Sequence, residues 1–509
     1  LTGRAISARA AKKIGLVDYA VPQRQLLEAA RRTLLKPPAP HKPKRLQALS
    51  NHRLVRPWLA RVFRKKVAAK APQDHYPAPY AIIDLWQKYA DTPGRMLREE
   101  RASEARLVTD ETAQNLIRVF FLQERMKTLG NKELIDPKHI HVIGGGVMGG
   151  DIAIWCALRG FNVTIQDHKH ETIAGVLKRA HRLYKKKLKL PRLVTAAMDH
   201  LIPDVTGSIG LARADVIIEA IFEDIDAKQT LFKDIEPVIK PDALLATNTS
   251  SIPIEDLASV LSKPERLVGL HFFNPVAKMQ LVEIVHGPNT DKQIIDKASA
   301  FARHIDRLPV PVKSTPGFLV NRILMPYLME AVILESEGVP ASTIDKVALK
   351  YGMPMGPIEL ADTVGLDICL HVAENLAEAY HVEVPERLRQ LVNAGNLGRK
   401  TGNGFYRYNK KSGKKQQNKS SSTNITDDEI CDRMILRMLN EAVACLREHV
   451  VEDDELLDAG VIFGTGFAPF RGGPMNYIEK EKKSVLNEKL SALSNKYGDR
   501  FSADAGWSE

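Results

Sequence analysis

Residues 139–149, His-Ile-His-Val-Ile-Gly-Gly-Gly-Val-Met-Gly, decide the fold of this 509-residue chain. A short, largely apolar run leads directly into a glycine-rich turn, and a helical pattern follows from Gly150. Such glycines let the backbone turn tightly and approach a pyrophosphate, while the following helix N-terminus supplies N–H donors. The segment therefore predicts a dinucleotide-binding turn, although a glycine turn without a ligand is the alternative. The candidate cofactor-binding residues of the turn are Gly144, Gly146, Val147, Met148 and Gly149.

Asp167 stands eighteen residues after Gly149, where the next predicted strand ends. A carboxylate there accepts from both hydroxyls of a ribose and repels a 2′-phosphate. The position favours NAD over NADP, and His168 and Lys169 temper that preference only slightly. A surface turn residue is the competing interpretation of Asp167.

Short apolar strands alternate with helices after residue 136, which predicts a parallel α/β sheet. The predicted strands are residues 139–143, 163–166, 216–220, 244–247 and 267–271. Past Pro316 and Gly317 the pattern becomes helical. The sequence thus predicts a Rossmann-type domain followed by all-α domains.

The helical part contains an internal repeat. Asn321-Arg322 and residues 330–332 (EAV) recur as Asp432-Arg433 and residues 441–443 (EAV), with an offset of 111 at both places. Residues 351–357 have a looser echo in 463–469 and 472–474. Two related helical domains, joined by a polar loop at residues 410–424, are expected.

Three further segments, in the right order, resemble the 3-hydroxyacyl-CoA dehydrogenase family. The residues that carry the resemblance are 246–251 (ATNTSS), 269–275 (GLHFFNP) with 281–283 (LVE), and 316–322 (PGFLVNR). With the glycine turn, the resemblance covers roughly residues 138–480. It implies NAD-dependent oxidation of an (S)-3-hydroxyacyl-CoA to a 3-oxoacyl-CoA in fatty-acid β-oxidation.

The resemblance also implies site residues. His271 and Glu283 match the family's catalytic histidine and glutamate. Substrate contacts are implied for Ser250, Asn274 and Asn321, and cofactor contacts for Glu223, Lys228 and Asn248. Structural alternatives are strand-end capping for Ser250 and Asn274, helix capping for Asn321, and a solvated helix face for Glu223 and Lys228. No metal site is expected.

Elementary chemistry gives His271 and Glu283 the same roles. Removing hydride from an alcohol carbon also requires a base near neutral pKa at the hydroxyl. His271 ends a predicted strand, where ligands meet doubly wound sheets, and Glu283 follows twelve residues later. A carboxylate there would fix the imidazole tautomer and stabilise its charged form. The competing interpretation is a structural histidine and a solvent-facing glutamate.

The chain opens with a segment that resembles the end of an enoyl-CoA hydratase (crotonase) domain. Residues 1–22 carry that similarity, and the hydratase's catalytic residues would lie upstream, so we expect no hydratase activity from this chain. A short helix, a strand around residues 16–21 and a second helix from Gln23 are predicted. The whole order resembles the alpha subunit of bacterial fatty-acid oxidation complexes, which implies acyl-CoA substrates and a possible thiolase partner.

The predicted domains follow from these boundaries. They are residues 1–36 (crotonase remnant), 37–135 (basic and helical linker), 136–315 (NAD-binding), 316–410 (helical domain) and 425–509 (second helical domain).

The net charge of +12 comes from one segment. Residues 29–73 hold thirteen Lys and Arg and no Asp or Glu, which leaves about −1 for the rest. A packed linker, docking to CoA phosphate or to a complex, and contact with a membrane or RNA are the three interpretations, and nucleic acid is not expected as a partner. Four scattered cysteines and the lack of a long apolar run favour a cytoplasmic protein without disulfides.

Two other functions compete with the dehydrogenase. A non-catalytic NAD-binding scaffold of a β-oxidation complex would bind the cofactor without turnover. A dehydrogenase of small 2-hydroxy acids is disfavoured by residues 250–274.

Overall fold

The computed structural model describes residues 5–39, 45–380, 383–409, 412–416 and 424–508. Its contacts divide the chain into two units, residues 1–114 and residues 115–509. Residues 1–4 of the predicted crotonase remnant and most of the predicted polar loop at 410–424 lie outside the described residues. No helix of the described residues is long and apolar enough to span a bilayer.

The N-terminal unit is helical. Its α-helices are α1 (Ala8–Ile14), α2 (Leu26–Leu35), α3 (Arg45–Ser50), α4 (Arg56–Ala68), α5 (Ala78–Tyr89) and α6 (Pro93–Val108). The strand predicted at residues 16–21 is wrong, since that segment is irregular. The described part of this unit contains no strand to pair with it, and an unpaired strand leaves its backbone groups unsatisfied.

Part of the basic segment is neutralised inside this unit. The side chain of Arg56 is buried and forms an ion pair with Asp91. Arg64 contacts Asp84 and donates to Gln87 at 2.9 Å. Trp58, in contrast, is 62% exposed. These pairs support a packed linker for α4 but leave one of its faces open.

The second unit is built on an eight-stranded sheet in the order β3-β2-β1-β4-β5-β6-β7-β8. The strands are β1 (His139–Ile143), β2 (Asn162–Gln166), β3 (Leu201–Pro203), β4 (Val216–Glu219), β5 (Leu244–Thr247), β6 (Leu267–Phe272), β7 (Leu281–His286) and β8 (Leu308–Lys313). Every residue of β4, β5 and β6 is buried. Helices cover both faces of such a sheet, so its strands read as continuous apolar runs.

The helices before and within this α/β region are α7 (Glu111–Thr128), α8 (Val147–Leu158), α9 (His170–Leu188), α10 (Pro191–Asp199), α11 (Ile225–Ile235), α12 (Ile254–Ala258) and α13 (Lys292–His304). The prediction of a purely parallel sheet needs one correction, because β7 is antiparallel to β6. Only residues 273–280 join these two strands, and a connection that short has no room for a crossover helix. The other neighbouring strands are parallel, as predicted.

The C-terminal part is helical, as predicted. Its α-helices are α14 (Val320–Ser336), α15 (Ala341–Tyr351), α16 (Pro357–Val364), α17 (Leu366–Tyr380), α18 (Glu386–Asn393), α19 (Asp427–Arg447), α20 (Asp454–Thr465), α21 (Pro474–Glu481) and α22 (Lys483–Tyr497). Helices α14 and α19 pack against each other and begin the two segments that the sequence offset relates.

Reciprocal ion pairs join α14 and α19. Arg322 donates to Glu441 and to Glu448, each at 2.6 Å. Arg433 donates to Glu330 and to Glu337, each also at 2.6 Å. Every residue of the second set lies 111 positions from its counterpart in the first, with donor and acceptor helices exchanged. The contacts therefore relate α14 and α19 by an approximate twofold and support the predicted repeat.

A buried aspartate holds the next helix in each repeat. Asp345 of α15 accepts from the backbone N–H of Ile358 at 2.9 Å, at the start of α16. Asp458 of α20 accepts from the N–H of Met475 at 2.7 Å, at the start of α21. Carboxylates at helix N-termini satisfy free N–H groups and complement the helix dipole.

Candidate active site

The glycine-rich turn joins β1 to α8 and leaves a backbone surface open. Gly144 has φ +107°, and a Cβ there would stand 2.3 Å from the Ala220 carbonyl oxygen, so a side chain is excluded. A Cβ at Gly146 would meet no atom within 4 Å. None of the described side chains caps the N-terminus of α8. Free N–H groups beside an open backbone fit a pyrophosphate, so the turn suits a dinucleotide.

Asp167 follows β2 and faces this turn. Its Oδ2 accepts from the N–H of Gly145 at 2.8 Å and its Oδ1 from the N–H of Lys169 at 3.0 Å. The carboxylate thus stands where a ribose bound along the turn would meet it. Arg179 of α9, which the sequence analysis missed, donates to the carbonyl of Gly146 at 2.9 Å. Arg179 also pairs with Asp151 of α8 at 3.3 Å, so it holds the turn between α8 and α9.

His271 and Glu283 face each other across the antiparallel β6–β7 pair. The Nδ1 atom of His271 lies 2.5 Å from Oε2 of Glu283. The His271 residue is 5% exposed and Glu283 is fully buried, so water does not screen their interaction. The spacing of twelve residues in the sequence is therefore a direct cross-strand contact.

The N-terminus of α14 holds the other oxygen of Glu283. Oε1 accepts from the backbone N–H of Leu319 at 3.1 Å and of Val320 at 2.8 Å. Both donors lie at the positive end of α14, which complements a negatively charged side chain. Glu283 is consequently fixed between the helix and the imidazole, with its charge at the histidine.

Two aromatic rings confine the imidazole. The ring centroid of Phe273 lies 4.6 Å from that of His271, and the centroid of Phe318 lies 5.4 Å away. Phe318 has φ +52°, an uncommon value for a bulky residue. Neither role follows from the sequence alone, although the two phenylalanines belong to the GLHFFNP and PGFLVNR motifs.

A buried cluster lies where β4 and β5 end. Lys228 is fully buried, and its Nζ donates to both oxygens of Glu219, at 2.7 and 2.9 Å. The same Nζ lies 3.3 Å from Glu223. Thr247 donates to Glu219 at 2.5 Å. The solvated helix face considered for Lys228 is therefore wrong, and Glu219 is a charged residue that the sequence analysis missed.

Glu223 ties this cluster to the segment that carries Ser250. Its Oε1 accepts from the Thr249 hydroxyl at 2.6 Å and from the backbone N–H of Ser250 at 2.7 Å. Burial alone would raise the pKa of Glu223, but the charge of Lys228 and these donors outweigh it and hold the pKa below its usual range. Glu223 therefore stays a carboxylate and fixes the turn after β5.

The remaining predicted residues lie at the ends of neighbouring elements. Asn248 links two strand ends, since its Oδ1 accepts from the N–H of Phe272 at 3.0 Å. Asn274 is exposed, three residues after His271. Asn321 is half-buried in the first turn of α14. The structure thus brings His271 together with Glu283, and Ser250 together with Glu223 and Lys228, while the described contacts join neither Asn274 nor Asn321 to those groups.

An open glycine turn, an aspartate after β2 and a buried histidine lie at carboxyl ends of strands in one sheet, and Glu283 meets that histidine from the antiparallel β7. That edge is where doubly wound sheets bind their ligands. The combination defines a dehydrogenase that uses a nicotinamide dinucleotide.

Comparison with known proteins narrows this class. The NAD-binding domain of 3-hydroxyacyl-CoA dehydrogenase matches residues 139–315, and the C-terminal domain of the same enzymes matches residues 317–408. The chain belongs to the 3-hydroxyacyl-CoA dehydrogenase family, and its cofactor is NAD.

A fatty acid oxidation complex subunit alpha of Vibrio campbellii is 35% identical over 527 residues, which cover 98% of this chain and 74% of that protein. Among solved structures, 3-hydroxybutyryl-CoA dehydrogenase from Escherichia coli K12 has a TM-score of 0.65 at 25% identity, covering 74% of this chain and 98% of that chain. The dehydrogenase part of multifunctional enzyme 1 from Caenorhabditis elegans has a TM-score of 0.55 at 26% identity, covering 78% and 99%.

Proposed function

We propose that this NAD-dependent dehydrogenase oxidises (S)-3-hydroxyacyl-CoA to 3-oxoacyl-CoA in fatty-acid β-oxidation, with His271 as the general base. The observation that carries the proposal is the 2.5 Å contact between His271 and the fully buried Glu283. When bound, the nicotinamide ring accepts the hydride that leaves the alcohol carbon.

The Glu283 contact determines which nitrogen of His271 is basic. Because a carboxylate accepts at Nδ1, the neutral imidazole carries its proton there and presents its Nε2 lone pair. The described residues offer Nε2 no hydrogen bond, which leaves it for a substrate hydroxyl. As Nε2 takes the hydroxyl proton, Glu283 stabilises the resulting imidazolium.

Ser250, Asn274 and Asn321 are our candidates for orienting the substrate oxygen and thioester. Ser250 is the best supported of the three, because its backbone and Oγ both donate to Glu223. Gly144, Gly146, Val147, Met148, Gly149 and Asp167 would hold the cofactor's pyrophosphate and ribose. Glu223 and Asn248 would meet its nicotinamide end, and buried Lys228 would act by positioning Glu223.

The larger assembly is part of the same proposal. The Vibrio campbellii relative is named as a subunit of a fatty acid oxidation complex, which supports acyl-CoA substrates. A thiolase subunit as a partner rests on the resemblance of the domain order alone. We keep residues 1–36 as the end of a hydratase-like domain, residues 425–509 as a second helical domain, and the cytoplasm as the location.

The reverse reaction tests the function. Purified protein with acetoacetyl-CoA should consume NADH, measured by the loss of absorbance at the nicotinamide band. His271→Gln should lower kcat by about 10³-fold, because general-base catalysis is lost, while NADH affinity stays nearly unchanged. NADH binding without turnover would establish the scaffold, and turnover of lactate or malate instead would establish a 2-hydroxy acid dehydrogenase.

A further inference from the structure

A cavity apart from the candidate active site lies between helices of the C-terminal part. It measures about 1040 Å³ and is lined by residues of α14, α18, α19 and residues 497–500. His271, Glu283 and the glycine turn do not line it. Ligand pockets commonly have volumes of roughly 300–1,000 Å³, so this cleft is large enough for a small molecule.

The charges of the cleft are divided between its rim and its floor. Glu383, Glu386 and Asp499 line it and are exposed, so water and salt screen their charges. Arg437 lines it with a side chain that is only 10% exposed. Glu335 and Glu337 line the cleft too, but they are paired with Arg387 and Arg433. The floor therefore presents a buried cation beside carboxylates that already have partners, while the rim carries solvated carboxylates.

Arg437 is poorly neutralised for a buried group. Among the described residues, its ion-pair partner is Glu330, at 3.9 Å. Glu330 is already held by Arg433 at 2.6 Å and by Arg500 at 3.1 Å. Burial lowers the pKa of Arg437 and the charge of Arg500 adds to that effect, while the charges of Glu330 and Glu441 oppose it. A buried charge without a close counter-ion is costly, so an anion in the cleft would be stabilised there.

An apolar slot opens beside the same guanidinium. It measures about 50 Å³ and shares Met329, Tyr380, Glu383 and Arg437 with the large cleft. The apolar side chains that line the slot are Met325, Pro326, Met329, Ala373, Leu376 and Val384, and the ion-paired Arg322 and Glu441 line it as well. Since a water molecule occupies about 30 Å³, the slot has room for about two groups of that size.

The approximate twofold places an apolar residue of α14 at the position that matches Arg437. The offset of 111 that relates Arg322 to Arg433 also relates Pro326 to Arg437. One repeat therefore contributes a guanidinium where the other contributes an apolar ring. A ligand with one charged end and one aliphatic end matches that asymmetry.

We propose that this cleft is a binding site for a small monocarboxylate, with its carboxylate on Arg437 and its short aliphatic tail in the slot. Arginine binds carboxylates through paired hydrogen bonds, which suits the charged end. The three rim carboxylates repel polyanions such as nucleotides, which selects a single negative charge.

Calorimetric titration of the whole chain with sodium butyrate tests the proposal. Butyrate should bind saturably, and affinity should rise about fourfold per methylene from acetate to butyrate as the tail is buried. Affinity should level off at hexanoate, once the slot is full. Arg437→Gln should weaken butyrate at least about tenfold, because a charged hydrogen bond is lost.

Arg387→Gln is the matched control. Arg387 also lines the cleft, but it is paired with Glu335 at 3.0 Å and its side chain is 39% exposed. This change should leave butyrate affinity within about twofold. If Arg437→Gln fails to fold, judged by circular dichroism, Arg437→Lys keeps the cation and should bind butyrate more weakly than the unaltered chain does.

Three results would overturn the proposal. They are no heat with butyrate, equal affinity in the unaltered chain and in Arg437→Gln, and phosphate or formate binding as tightly as butyrate. Since calorimetry needs no turnover, a negative result here leaves the dehydrogenase assignment untouched.

Discussion

The two helical repeats begin in different ways, although the offset of 111 aligns Thr315 with Thr426. In the second repeat, the Thr426 side chain caps α19 by accepting from the N–H of Glu429. In the first repeat, α14 begins only at Val320, and Phe318 stands at the position of Glu429. The first repeat therefore lacks the opening helical turn that the second one caps locally.

What caps α14 instead is the carboxylate of the proposed catalytic pair. The N–H groups of Leu319 and Val320 donate to Glu283, whereas α19 satisfies its own first turn. The next position differs as well, since Asn321 of α14 is replaced by Asp432, which Lys489 pairs at 3.0 Å. The two repeats therefore share the contacts that join α14 to α19. They differ at the start of α14, where the first repeat contacts the NAD-binding domain.

Breaking the link between α14 and the site should give the largest effect. Glu283→Gln removes the charge that fixes the His271 tautomer and stabilises its protonated form. We expect kcat to fall on the order of 10³-fold with little change in KM for acetoacetyl-CoA, since the change acts on chemistry rather than on binding. Steady-state kinetics measures the split, and unaltered kcat would show that α14 does not serve the site through Glu283.

Removing Arg433 should lower the free energy of unfolding more than removing its counterpart Arg322. Arg433→Met leaves Glu330 fully buried with Arg500 as its remaining close partner, which should cost about 3 kcal/mol or more. Arg322→Met leaves Glu441 and Glu448, whose side chains are 24% and 34% exposed, so its cost should be about 1–2 kcal/mol. Urea unfolding measures both variants, and equal losses would mean that burial does not distinguish the two ion-pair sets.

The sequence predicts five of the eight strands, because their apolar runs are bounded by turns and alternate with helices. It misses β7, whose apolar run is interrupted by Glu283, β8, whose Pro309 and Pro311 read against a strand, and β3, which has only three residues. Proline is tolerated in β8 because this strand lies at the edge of the sheet. Such placement depends on the sheet order, which local sequence does not contain.

The contacts of the candidate active site are also only partly predictable from the sequence. His271 and Glu283 are found by spacing and by family resemblance, but their pairing follows from an antiparallel register. Glu219 looks like any residue at a strand end, and Lys228 like any helix lysine. Their contact forms only when α11 packs beside β4 and excludes water. Burial is the property that sequence alone does not reveal at these positions.

A pH series tests Asp458, one of the two buried aspartates that hold α16 and α21. Burial raises the pKa of Asp458 to about 7, although the hydrogen bond from Arg118 opposes the shift. In the unfolded chain the pKa of an aspartate is about 3.9. The folded state therefore binds more protons than the unfolded state at pH values between the two pKa values. Stability should therefore fall as the pH rises from about 4 to 7, by up to about 1.4 kcal/mol per unit.

Asp458→Asn removes this titration, so the difference in unfolding free energy between the two proteins should shift steadily in favour of the variant as the pH rises. Urea unfolding at a series of pH values measures the difference and cancels the titrations common to both proteins. A constant difference would contradict the raised pKa.

The smallest expected effect tests the two threonines that open the comparison. Thr426→Ala removes the cap of α19 and should cost about 1 kcal/mol, without altering kcat. Thr315 is different, since its buried Oγ1 finds no hydrogen-bond partner among the described residues. Thr315→Val replaces an unsatisfied hydroxyl with a methyl group of similar size, so stability should stay equal or rise slightly. Thermal unfolding distinguishes these outcomes, and a loss at Thr315 as large as that at Thr426 would show that the first repeat uses its threonine as a cap after all.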